Sequence, residues 1–172
     1  VRTRLVEDGD AAAIASIYNA EVAEPSVTFD LVPRTVGDQL EWIERHHGAY
    51  AAIVAVGDPG GPGEPGAHGE VVAGFGSLSA FRDRPAYATT VENSVYVHRD
   101  ARGRGVGRLL LEQLLEAAAA GGFHAVVARI VGRNETSIRL HEACGFTLVG
   151  VEREVGRKHG RWLDVVELQR LL

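Results

Sequence analysis

The chain of 172 residues is long enough for one domain with a proper core, and its 45% hydrophobic and 24% charged residues are ordinary globular values. A net charge of −5 leaves no basic face for a nucleic-acid backbone, and no apolar run approaches the ~20 residues of a membrane span. The single cysteine, Cys144, excludes an intramolecular disulfide and points to a reducing cytoplasm. Leu5 lies in a short first strand. Asp8 and Asp10 then supply cap chemistry for a helix whose Ile14, Ile17, Tyr18 and Val22 share one face. Pro25 stops it, residues 26–33 read as a loop, and a second helix runs from about Thr35 to His46 on Leu40, Trp42 and Ile43. The apolar run 51–56 reads as a buried strand. Three prolines and four glycines within residues 58–66 exclude sheet and helix there. Residues 57–69 are therefore predicted to form a flexible hairpin excursion inside a single domain covering 1–172.

Strands follow at 70–79 and 89–98, and a helix at 106–120 is stopped by Gly121-Gly122. A strand at 125–131, a helix at 135–144 and two last strands at 146–156 and 162–171 complete the order. Hairpins mixed with inserted helices predict a mixed α/β sheet of α+β type rather than an all-parallel one.

Residues 102–107, Arg-Gly-Arg-Gly-Val-Gly, join a strand to a helix N-terminus, where free backbone N–H groups and the helix dipole favour a phosphate. Arg102, Arg104 and Arg108 add positive charge at the same place. Such a turn alone is compatible with a nucleotide loop, a coenzyme site or a tight connection. No Gly-Lys-Ser/Thr follows, so it is not a Walker A loop. A dinucleotide fingerprint belongs after the first strand of a βαβ unit, not in mid-chain. His46, His47 and His159 lack neighbours at ligand spacing, so no metal site is expected.

Val95-x-Val97, Arg102-x-x-Gly105-x-Gly107, Asn134-x-x-Ser137 and Cys144-Gly145-Phe146 together resemble the core signature of the GNAT acyl-CoA-dependent N-acetyltransferases. The resemblance implies a GNAT acyl-CoA N-acyltransferase fold with a splayed central strand pair. Arg102, Gly103, Arg104, Gly105, Val106, Gly107 and Arg108 would wrap the pyrophosphate of acetyl-CoA. Val95, Tyr96 and Val97 would offer an open strand edge to its pantetheine amides. Within the superfamily, Tyr18-Asn19, Phe29, Thr90-x-Glu92-x-Ser94-Val95-Tyr96-Val97, Asn134-x-x-Ser137-x-x-Leu140-His141-Glu142-x-x-Gly145-Phe146 and Gly160-Arg161-Trp162-x-Asp164-Val165 look like the phosphinothricin and methionine sulfoximine N-acetyltransferases.

That likeness implies acetyl transfer to the α-amino group of a small amino acid or analogue by direct attack in a ternary complex. Glu92 would be the general base, because a protonated amine must lose its proton before attack. The plain alternative is a strand carboxylate paired with Arg82 or Arg84. His141 would protonate the departing thiolate, or else only bond a backbone carbonyl. Asn134 would contact the coenzyme arm, and helix capping explains it equally well. Phe29, Arg82, Arg84, Tyr87, Glu92 and Tyr96 would line the acceptor site, the guanidiniums gripping acidic groups of the substrate. Phe81 stands where relatives carry tryptophan, and Arg129 and Val131 stand where small or apolar neighbours are common. Relatives are often homodimers, and Trp162 is a candidate for such an interface. Two other readings stay open. The acceptor is a peptide N-terminus or another amine, or the chain is a non-catalytic acyl-CoA sensor.

Overall fold

A computed structural model describes residues 1–132 and 134–172. In chain order the elements are β1 (Arg2–Leu5), α1 (Ala11–Val22), α2 (Val36–Arg45), β2 (Ala52–Gly57), β3 (Glu64–Pro65), β4 (Val71–Ala80) and β5 (Thr90–Val97). They continue with α3 (Val106–Ala120), β6 (Ala125–Val131), α4 (Glu135–Ala143), β7 (Thr147–Lys158) and β8 (Arg161–Leu171). The strands form one eight-stranded mixed sheet in the order β1-β2-β4-β5-β6-β8-β7, with β3 pairing β4 off that path. The parallel contact is β5 with β6, and the neighbouring pairs on either side of it are antiparallel. The expected mixed α/β architecture is the observed one.

Two apolar layers sandwich the sheet. On one face Leu110, Leu111 and Leu114 of α3 pack with Leu78, Val126 and Leu168, all fully buried. On the other, Ile14, Ile17 and Tyr18 of α1 pack on Val54, Val72 and Phe75, with Trp42 and Tyr96 beside them. The near-continuous apolar strand β2 is explained by this burial on both faces.

Three local expectations change. Asp10 occupies the N-cap position of α1 but makes no side-chain cap bond to that helix. Its carboxylate instead accepts from Arg4, from Glu7 N and from Ala67 N. The Gly/Pro excursion does join the sheet: Glu64 and Pro65 pair with Val72 and Val71, and Gly66 N donates to Glu70 O. Proline is tolerated there because β3 is a short edge. On α2 the inward residue is Gln39, at 0% exposure, whereas Leu40 is 39% exposed.

Candidate active site

The site begins where two strands part. The β5–β6 register has three partners, Thr90↔Ala125, Val91↔Val126 and Glu92↔Val127. Beyond them β5 stays paired with β4 as far as Gly74↔Val97, and β6 stays paired with β8 as far as Val131↔Val165. Each strand follows its antiparallel neighbour. A wedge of backbone edge opens between Asn93–Val97 and the end of β6, and unpaired edge groups of this kind can accept an extended amide ligand.

One mouth of the wedge is a cleft of about 390 Å³ lined by Val95, Tyr96 and Val97, by the turn at Arg102, Gly103 and residues 105–108, and by Asn134 and Leu140. Gly105, at φ 81, is the N-cap of α3 and gives no side-chain cap. The left-handed conformation favours glycine there, and the first N–H groups of the helix stay free for an anion. The donor set fits a pyrophosphate.

The arginines divide differently from expectation. The Arg102 guanidinium donates to Glu21 Oε1 at 2.6 Å and to Val97 O at 3.3 Å, so it ties α1 to the end of β5. Glu21 itself is only 4% exposed. Arg108 pairs with Glu112 at 2.7 Å. Arg104 is exposed and has no ion-pair partner among the described residues. Arg102 and Arg108 line the cleft with part of their charge taken up by Glu21 and Glu112, and Arg104, outside that lining, adds positive charge nearby.

The other mouth carries Glu92. Register places Glu92, Ser94 and Tyr96 of β5 on one face with Ser79, Ser77 and Phe75 of β4. Glu92 is half-buried, and burial pushes its carboxyl above the usual carboxylate range. Arg129 opposes that rise, while Glu167 and Glu152 add to it. Among the described residues no ion pair joins Glu92 to Arg82 or Arg84. The cation that acts on it is Arg129, whose Nη2 donates to Glu152 Oε2 at 2.6 Å. Burial also raises the Tyr96 phenol, whose ring stacks on Phe75 at 5.1 Å.

A loop roofs this face. Tyr18 Oη donates to Asp30 Oδ2 at 2.5 Å, and Asn19 exchanges two bonds of 2.8 Å with the backbone of Arg34. Lys158, only 1% exposed, donates from Nζ to Thr28 O at 2.9 Å. Phe29 lies flat over Gly156, where an added Cβ would sit 2.2 Å from the ring. The sequence places Lys158 in a hairpin tip able to cover the acceptor pocket or an adjoining subunit, but carries no signal for its partner Thr28 or for Gly156.

His141 sits at the base of the wedge, in a small cavity of about 80 Å³ shared with Asn93, Ser94, Tyr96 and Arg129. Its Nδ1 donates to Ser137 O at 2.8 Å, and its Nε2 accepts from Asn93 Nδ2 at 3.0 Å. Those two bonds select the neutral tautomer, and burial holds the ring below the usual imidazole range. With Nδ1–H given to the Ser137 carbonyl, Nε2 of the neutral ring faces the Asn93 amide, so the acid role implied by the resemblance would need the ring to take up a proton first. Asn93 Oδ1, on a side chain 5% exposed, is buried with no hydrogen-bond partner among the described residues. Asn134 accepts from Ser137 N at 3.1 Å, so it caps α4 and lines the cleft at once.

Arg82, Phe81 and Tyr87 gather into a separate cluster in the β4–β5 connection. Arg82 stacks over Phe81 at 4.7 Å and donates to Tyr87 Oη at 3.4 Å. Arg82 and Arg84 are exposed, and Tyr87 is half-buried. The connection leads directly into β5, two residues before Glu92. Among the described residues no His/Cys/Asp/Glu group could hold a metal ion, and no helix is long and apolar enough to cross a membrane.

The family model described as Acetyltransferase (GNAT) family matches residues 14–146. The phosphinothricin N-acetyltransferase of Streptomyces coelicolor is 39% identical, over 100% of this chain and 96% of that protein. The L-methionine sulfoximine/L-methionine sulfone acetyltransferase of Salmonella typhimurium is 36% identical, over 96% and 91%. The crystal structure of a GNAT superfamily phosphinothricin acetyltransferase from Sinorhizobium meliloti in complex with AcCoA superposes with a TM-score of 0.88 at 36% identity, covering 99% of this chain and 87% of that one.

Proposed function

The chain belongs to the GNAT acetyltransferase family, and from that premise we propose that it moves acetyl from acetyl-CoA to the α-amino group of a small amino acid or analogue of the phosphinothricin or methionine sulfoximine type. Residues 1–172 act in this reading as one catalytic domain, in the cytoplasm, as a homodimer and without a metal. The observation that carries it is the wedge itself. It has a phosphate-binding turn at one mouth and a half-buried carboxyl at the other, so donor and acceptor meet across a single break in the sheet.

Acetyl-CoA supplies an activated thioester. The residues of this chain do the rest. Gly103, Gly105, Val106 and Gly107 present backbone N–H groups to the pyrophosphate, with Arg108 in the cleft lining, Arg104 adding charge nearby and Arg102 as the strut that fixes the turn. The open edge of Val95, Tyr96 and Val97 pairs with the pantetheine amides and offers N–H groups to the thioester oxygen as negative charge grows there. Asn134 holds the same arm. Glu92 takes the proton of the acceptor amine, since a carboxyl with a raised pKa is a better base near neutrality than an ordinary one. Phe29 and Tyr96 wall the acceptor, and Arg82, Arg84 and Tyr87 meet its distal polar group. The bond from the acetyl carbon to sulfur breaks as the amide forms, the coenzyme leaves as a thiolate that takes its proton from solvent, and His141 stays neutral and positions Asn93. Attack is direct, because Cys144 is buried with its thiol pushed up by burial, which suits no acyl-enzyme.

Release of the coenzyme thiol, measured against phosphinothricin, methionine sulfoximine, free amino acids, a peptide N-terminus and a polyamine, tests the reading. Turnover is expected with the amino-acid analogues. Turnover confined to the peptide or the polyamine would replace the acceptor class. Acetyl-CoA binding with no turnover on any amine would leave only the sensor reading.

A further inference from the structure

Arg129 projects into the acceptor face rather than away from it. Val127 is the register partner of Glu92, and Arg129 lies two residues further along β6, on the same face and about 6.6 Å along the strand. It contributes to the small cavity at the base of the wedge together with Ser94, Tyr96 and Val27. Glu167 is its register partner on β8, and Glu152 on β7 accepts from its Nη2 at 2.6 Å. One guanidinium therefore stands among three carboxylates, those of Glu92, Glu152 and Glu167.

The pair with Glu152 does not use up this arginine. Both side chains are 37% exposed, and an ion pair that open to water is weak and screened. A guanidinium carries five N–H donors in a planar fork, and among the described residues Glu152 is its one hydrogen-bond partner. Edges remain for a second carboxylate. Glu92, Glu152 and Glu167 work against an incoming anion, so a substrate carboxylate must be held by the guanidinium's free N–H edge and not by the net charge of the site.

We propose that Arg129 reads the α-carboxylate of the acceptor and thereby selects α-amino acids with a free carboxylate, delivering their amine to Glu92. The inference rests on the acetyl-transfer reading above and names a further residue for it. In an α-amino acid the amine and the carboxylate hang from one carbon. A site for it needs a base and a cation side by side on one surface, and Glu92 and Arg129 meet that requirement. Arg82 and Arg84, on the exposed connection before β5, are then left for the group at the far end of the substrate.

The rival role for Arg129 is a strut that crosses β8 to hold β7, and the test separates the two. Coenzyme release is followed with methionine sulfoximine and with its α-carboxamide, in the wild type, in Arg129→Lys, and in the double variant Arg129→Leu with Glu152→Leu, which removes both members of the ion pair. The wild type is expected to prefer the free acid. In the double variant KM for the acid should rise roughly 10–100-fold, the loss of a charge-assisted bond, with KM for the carboxamide unchanged, while kcat for both falls together because Glu92 loses its neighbouring cation. Arg129→Lys should recover part of the preference. Equal use of acid and amide by the wild type, or equal shifts of both KM values in the variants, overturns the inference and leaves acetyl transfer standing. A wild type that acetylates no amine overturns the reading beneath it, and the inference with it.

Discussion

At Glu92 burial favours the neutral acid while catalysis needs the carboxylate, and Arg129 stands between them. A carboxyl whose folded pKa is raised contributes its stability below the unfolded pKa and loses it as pH rises through the folded value. Glu92→Gln is therefore expected to raise Tm near neutral pH and to leave it unchanged in acid, where the wild-type side chain is itself protonated. A calorimetric scan at both pH values checks this, and a lower Tm at neutral pH would mean that the carboxylate is held by contacts stronger than its burial cost. For His141→Phe the expectation is a loss of roughly 1–3 kcal/mol in urea unfolding, because the Asn93 amide and the Ser137 carbonyl lose their partner. If that variant instead keeps its stability and loses an alkaline limb from its pH–rate profile, the acid role returns. Glu92 was legible from its neighbours in the chain. The neutral state of His141 was not, since it depends on Asn93, which lies 48 positions away.

Among the elements, the α3 turn converts backbone geometry into ligand affinity. Gly105→Ala forces an L side chain to φ 81, a conformation costing roughly 1–2 kcal/mol, and should raise KM for acetyl-CoA while leaving KM for the acceptor alone. Arg108→Ala should act in the same direction, since its side chain lines the cleft and its pair with Glu112 is open to water, and Arg104→Ala less. A larger effect at Arg104 would move the cationic contact outside the cleft. Helix α3 and strand β6 were readable to their ends, because their apolar periodicity is strong and glycines punctuate them. The face of α2 was not. Counting apolar residues selects Trp42 and Ile43 correctly but also Leu40, whereas the fold turns Gln39 inward, with both side-chain polar atoms unpartnered among the described residues. The parting of β5 from β6 carries no local signal either. It follows from which antiparallel neighbour each strand keeps, and only the likeness to a known family anticipated it.

Over the molecule as a whole, β7 is an edge strand with Leu148, Val149, Val151 and Val155 between 49% and 62% exposed, and Trp162 beside it on β8 is 59% exposed. An apolar edge of this length is a ready template for another chain, which supports the proposed homodimer. Sedimentation should give a dimer for the wild type and a shift towards monomer for Val151→Lys with Trp162→Arg. A wild-type monomer would remove the dimer from the account. Long-range ties such as Lys158 to Thr28 lay beyond sequence reading, because 130 positions separate the partners. The central claim is that the strands part to bring a thioester to the amine held by Glu92. The pH dependence of kcat/KM for coenzyme release, in the wild type and Glu92→Gln, tests it most directly. The wild type should lose activity as pH falls through a limb above the ordinary carboxylate range, and the variant should lack that limb and run roughly 10²–10⁴-fold slower. The same limb and the same rate in both proteins would contradict it.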